Sequence, residues 1–211
     1  MTNFITALKQ LADQFDYQIR SVPGAIPVYT KKYGWDNYRY TSPIFRLAHV
    51  EKFVQERFAV IHVCIFPHLN DPSPIFGFDV IAGEQKATGL FFDLSPTVRP
   101  GRKFTDLDVE TQREKPEWGD IFSDHWVACR PTFKEFERVA DEGVRVLEQY
   151  LMTLGQETTE QNAVIRAQNR YCQNQKKNTH TFAALKNLLG PEGAQEFMDT
   201  VLFPEIPDQY S

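Results

Sequence analysis

The apolar positions of the chain recur first at helical spacing, then every second residue, then at helical spacing again. Phe4, Leu8, Leu11 and Phe15 lie three or four residues apart behind Thr2, which predicts an amphipathic N-terminal helix. Residues 26–40, rich in Tyr and Lys and punctuated by Pro and Gly, predict short strands joined by turns, with no chemistry assigned to them. Alternation then aligns Phe45, Leu47, His49 and Glu51 on one face of a strand, and Phe58, Val60, His62, Cys64 and Phe66 on one face of the next. Behind the Pro72-Ser73-Pro74 break it aligns Ile75, Gly77, Asp79 and Ile81. A further strand over 87–94 carries Thr88, Leu90 and Phe92 on one face and ends at Ser95-Pro96. Residues 97–116 read as a surface connection, and 121–130 return to strand character, with Trp126 alternating against Val127. Thr132 and Glu135 predict a capping box ahead of a long helix whose core face is Phe133, Phe136, Val139, Val146 and Leu147. Helices are expected over 162–175, over 179–189 with a stop at Gly190-Pro191, and over 192–202. A strand-rich middle bracketed by helices predicts an α+β fold, with helices on both faces of one central antiparallel sheet.

Length and composition narrow this picture. At 211 residues and 42% hydrophobic, the chain can bury one substantial core, and a single domain over 1–211 is expected. Its 17 phenylalanines are more than packing usually needs; they fit a large apolar pocket as well as an aromatic-rich core. A net charge of −5 argues against nucleic acid as a partner, although a local basic patch for an acidic protein is compatible with it. Cys64, Cys129 and Cys172 are odd in number and widely spaced, a pattern that suits neither a disulfide framework nor a metal site. No apolar run reaches the roughly 18 residues of a membrane span, and the first twenty residues lack a signal-peptide core, so a cytoplasmic monomer away from membranes is expected. Dinucleotide and phosphate-loop motifs are missing from the sequence, so a reductase built on this chain would need electrons from a partner.

Three ionisable residues stand where the strand pattern calls for apolar side chains: Glu51, His62 and Asp79. A turn centred between Glu56 and Arg57 sets Glu51 directly opposite His62, and one centred between Asn70 and Asp71 sets Asp79 on the other side of His62. Directly opposed residues of antiparallel strands have Cβ atoms about 4.5–5.5 Å apart, within reach of proton transfer. Two readings stand side by side. Taken singly, His62 is a satisfied core histidine, and Glu51 and Asp79 turn to solvent at bulges. Taken together, three buried charges each cost several kcal/mol unless paired, and such costs concentrate at functional sites, which points to a proton-handling pocket.

The same segments carry a resemblance. The runs IHVCIFP, PIFGFDVIAG, FFDLSP, REKPEWGDIFSD, NRYCQNQKKN and DTVLFPEI, in this order over residues 43–206, resemble the ferredoxin-dependent bilin reductases, and within them the phycocyanobilin-forming branch. The resemblance implies a three-layer α/β/α sandwich, with a linear tetrapyrrole between the sheet and the C-terminal helices. It implies reduction of biliverdin IXα to a phycobilin, phycocyanobilin before phycoerythrobilin, by four electrons through bilin radicals. Reduced ferredoxin would be a transient partner supplying the electrons, and no cofactor or metal would be held permanently. By the same resemblance Asp79 is the first proton donor, His62 shares and relays that proton, and Glu51 protonates the vinyl-bearing ring. Arg113, Thr88 and His180 would hold propionates at the pocket mouth, and His49, Asn178 and Phe203 complete the substrate site. Thr88 stands where the family commonly has Ser and His180 where it has Lys, which bears on the product rather than the class. A non-catalytic tetrapyrrole carrier is the alternative of another kind, and it would not need three buried ionisable groups.

Overall fold

The computed structural model describes residues 3–28, 33–99 and 113–207. Strands β1 (Ile26–Pro27), β2 (Asp36–Thr41), β3 (Phe45–Val54), β4 (Phe58–Pro67), β5 (Ile75–Gly83), β6 (Ala87–Ser95) and β7 (Val127–Cys129) form one antiparallel sheet in chain order among the described residues. Each central strand pairs with its sequence neighbour through a short connection, so the register follows from turn position and from which face is apolar. Both expected pairings are present, Glu51 opposite His62 and His62 opposite Asp79.

Helices cover both faces. α1 (Phe4–Arg20) and α2 (Phe133–Thr153) pack on the face carrying Ala48, Val50, Ile61, Val63, Phe78 and Val80. α1 is capped by Asn3, whose side chain accepts from the Ile5 amide, and it buries Phe4, Leu8, Leu11, Phe15 and Ile19 along one stripe. Phe15 meets Phe78 at 5.1 Å and Phe76 at 6.2 Å between ring centroids, so helix and sheet interlock through aromatic contacts. The capping box of α2 is formed: the Glu135 amide donates to Thr132 Oγ1, and the Thr132 amide donates to Glu135. α3 (Gln161–Gln175) and α4 (Thr179–Phe197) pack against the opposite face over Leu47, Cys64, Phe66 and Ile75. α4 is broken at Gly190, whose φ of 74° and ψ of 171° suit glycine alone, and it runs into a π-helical turn over Met198–Leu202.

Three local expectations are corrected. An irregularity between Phe45 and Leu47 turns Phe45 into the α1/α2 core while Leu47 stays with the other face, so the two do not share one row. A second irregularity, at Ile81/Ala82, seats Ala87 in the core and leaves Thr88 exposed. The strand expected over 121–130 shrinks to β7, because the stretch before it forms a short 3-10 turn, Gly119–Ile121, and Ser123, two residues past it, bonds to the side chain of Asp93 on β6. Most of the connection expected over 97–116 lies outside the described residues, as does Thr2.

Candidate functional site

Neighbouring strands place Asn37, Glu51, His62, Asp79 and Phe91 in one row across the sheet, on the face that α3 and α4 cover. Glu51 and His62 are buried, 6% and 5% exposed, whereas the Asp79 side chain keeps 34% of its surface and opens into the space above the sheet. His62 Nδ1 lies 2.5 Å from Asp79 Oδ1, a close imidazole–carboxyl hydrogen bond. On the other side Trp35 Nε1 donates to Glu51 Oε1 at 2.7 Å. His49, fully buried one residue pair along β3, brings its ring to 5.4 Å from that of His62. Asn37 donates through Nδ2 to the Trp35 carbonyl (3.2 Å), which leaves its Oδ1 to accept from His49 Nε2 (3.0 Å). His62 Nε2 and His49 Nδ1 are buried without a hydrogen-bond partner among the described residues.

Burial and neighbours sort these groups by charge. Burial pushes the Glu51 carboxyl up to about 7, with His62 and the Trp35 hydrogen bond pulling it down and Asp79 adding a small push upward. Burial also works against a charge on His62, but the combined pull of Asp79 and Glu51 outweighs it and raises the imidazole above its ordinary pKa. His49 goes the other way: burial, then His62 and Arg39, hold it well below its ordinary value, so it stays neutral. A positive charge is thus favoured on His62, flanked by two carboxyl groups, and disfavoured on His49.

Above this row is a cleft open to solvent, lined by both polar and aromatic side chains. Glu51, His62 and Asp79 all line it, as do Asn178 and Phe203. The Phe203 ring stands edge-on to His62 at 5.8 Å and to Tyr171 at 6.5 Å. One wall is aromatic: Phe122 stacks on Trp126 with planes 5° apart, and Trp118 adjoins Phe122. Arg113, Thr88 and His180 are exposed and outside the lining, yet each is joined to it through one or two bonded steps. The Arg113 amide donates to the carbonyl of Ala128, next to lining residue Val127; Thr88 Oγ1 donates to the carbonyl of lining residue Ile81; His180 sits between Asn178 and Thr181, both lining. His49 lies behind the lining, in contact with His62.

Several contributors gave no sequence signal that periodicity could detect. Trp35 reaches Glu51 from ahead of β2, in a stretch without a repeating pattern. The aromatic wall, Trp118, Phe122 and Trp126, recurs every fourth residue, but the segment forms no α-helix, so that spacing does not foretell a shared wall. Asp93 was detectable, since it alternates with Phe91 and Ser95 on the site face. It accepts from Ser95 Oγ (2.7 Å), Ser123 N (2.9 Å) and Ser123 Oγ (2.6 Å), and so pins the aromatic segment to β6. Burial raises the Asp93 carboxyl, against the pull of those bonds and of Lys115. Among the described residues no cluster of three or more His, Cys, Asp or Glu could hold a metal ion, and no helix is long and apolar enough to cross a membrane.

Comparison with known proteins gives a consistent set. A family model described as ferredoxin-dependent bilin reductase matches residues 6–204. The phycocyanobilin:ferredoxin oxidoreductase of Trichodesmium erythraeum is 28% identical over 184 residues, covering 78% of this chain and 74% of that one. The enzyme of the same description from Synechococcus sp. is 29% identical over 185 residues, covering 80% and 75%. Among solved structures, a protein described as PcyX superposes with a TM-score of 0.69 at 26% identity, covering 95% of this chain and 99% of that one. A phytochromobilin synthase from tomato, solved in complex with biliverdin, has a TM-score of 0.67 at 12% identity over 94% and 82% of the two chains, a likeness of fold.

Proposed function

The chain belongs to the ferredoxin-dependent bilin reductases, and on that premise we propose that it reduces biliverdin IXα by four electrons to phycocyanobilin. Reduced ferredoxin supplies the electrons singly, and each is matched by a proton delivered from the protein. The observation that carries this reading is the row Glu51, His62 and Asp79 along one wall of the cleft, with His62 and Asp79 2.5 Å apart.

Asp79 is the first donor, because it is the member of the row whose carboxyl opens into the cleft. His62 shares its proton through Nδ1 and restores it after transfer. Glu51, with a pKa of about 7, is present at neutral pH in acid and base forms in comparable amounts, so it can give a proton to the vinyl-bearing ring and regain one between turnovers. Arg113, Thr88 and His180 hold the propionates at the rim, Asn178 and Phe203 line the bilin's site, and neutral His49 supports His62. The two phycocyanobilin:ferredoxin oxidoreductases at 28–29% identity support the choice of product.

The test is Asp79→Asn mixed with biliverdin and reduced ferredoxin, followed by absorption and electron paramagnetic resonance. Asn keeps the size of the side chain but cannot release the proton, so the variant is expected to bind biliverdin, accept one electron and stall as a long-lived bilin radical. Turnover at the wild-type rate would remove Asp79 from the donor role. Chromatography of the wild-type product separates phycocyanobilin from phycoerythrobilin, and the absence of any reduced bilin would favour a carrier.

A further inference from the structure

We propose that Trp35 is a positioning residue for proton transfer at Glu51: its indole holds Oε1 as an acceptor, so the transferable proton of Glu51 resides on Oε2. The inference rests on the role of Glu51 given above for its consequence in turnover, but not for the location of the proton.

An indole N–H can only donate, and at 2.7 Å from Oε1 it occupies the oxygen that would otherwise compete for the proton. Glu51 is 6% exposed, so water cannot freely exchange places with the indole. Trp35 is itself clamped. Its ring meets Phe53 edge-on at 5.3 Å and Phe197 at 5.2 Å, and its carbonyl accepts from Asn37, which in turn faces His49. The donor is therefore fixed by β3, by α4 and by the start of β2 together, and it aims at a single carboxyl oxygen. The titratable groups acting on Glu51 are His62 from β4 and Asp79 from β5, while Trp35, Phe53 and Phe197 carry no charge. A hydrogen bond to the charged form favours that form, so the indole opposes the upward push of burial. When Oε2 has given up its proton, the same bond stabilises the carboxylate left behind.

The test uses the ligand-free protein first. In wild type the indole N–H resonance of Trp35 is expected to move with pH through a midpoint near 7 and to be flat in Glu51→Gln. Trp35→Phe keeps most of the ring packing and removes the donor. It should raise the Glu51 midpoint, read from the carboxyl carbon resonance, by about one unit, a roughly tenfold change in the proton dissociation constant. A Trp35 resonance that does not follow Glu51 in wild type, or a Glu51 midpoint unmoved in Trp35→Phe, overturns the inference. Turnover then separates it from the reading of Glu51 as a donor. The pH profile of the Glu51-dependent reduction should shift upward in Trp35→Phe with the bilin Kd unchanged. A moved midpoint with an unmoved profile leaves the inference standing and removes Glu51 from the reaction.

Discussion

Glu51 is held at about 7 by burial, far above its value in an unfolded chain. Its native state binds more protons than the unfolded state between about 4.5 and 7, so stability falls as pH rises through that window. The cost is complete above 7 and absent below 4.5. Glu51→Gln, which can still accept from Trp35, should therefore be more stable than wild type at pH 8, by up to about 3 kcal/mol. It should match wild type at pH 4, with chemical denaturation at the two pH values as the measurement. His62 adds to the trend, since a raised imidazole pKa stabilises below about 6.5 and that contribution is lost as pH rises through its folded value. These two residues and Asp79 were legible because each interrupts an apolar alternation. Trp35 was not, because it lies outside any strand and the bond that gives it meaning spans sixteen residues to a partner on β3.

At the scale of elements, helix ends and strand registers follow from local rules that can be tested locally. Thr132→Ala removes one half of a formed capping box and should cost about 1 kcal/mol, read from thermal unfolding. Gly143 is different, since α2 crosses the sheet closely there. A Cβ at that position would lie 2.8 Å from Phe78 Cε2 and 3.1 Å from Cδ2. Phe78 is fully buried, so it has little room to yield. Gly143→Ala should destabilise by roughly 1–3 kcal/mol despite the better helix propensity of alanine, and a raised melting temperature would contradict the close contact. The β3–β4–β5 register was readable because the turns are short and a one-residue slip would turn Val50, Ile61 and Val80 toward the wrong face. The irregularities at Phe45/Leu47 and Ile81/Ala82 were not readable, since an extra residue in a strand leaves no mark in a period-two pattern.

For the whole molecule, a ligand that binds only the folded state must stabilise it. Biliverdin at about 100 times its Kd should add about 2.7 kcal/mol, seen as a rise in Tm, and no rise at saturation would deny the cleft its ligand. Arg113 is exposed, so an ion pair formed there with a propionate would be screened by solvent. Arg113→Ala should raise Kd only about two- to fivefold and leave the product unchanged, as titration and chromatography would show. By itself the sequence determined the alternation of helix and strand, the central hairpin register and the three ionisable groups on one face, because these depend on residue order and short turns. Tertiary structure alone decided that Trp35 meets Glu51, that Trp118, Phe122 and Trp126 wall the cleft, and that a positive charge is favoured on His62 and disfavoured on His49. Those outcomes depend on burial and on contacts between segments distant in the chain, which no local pattern encodes.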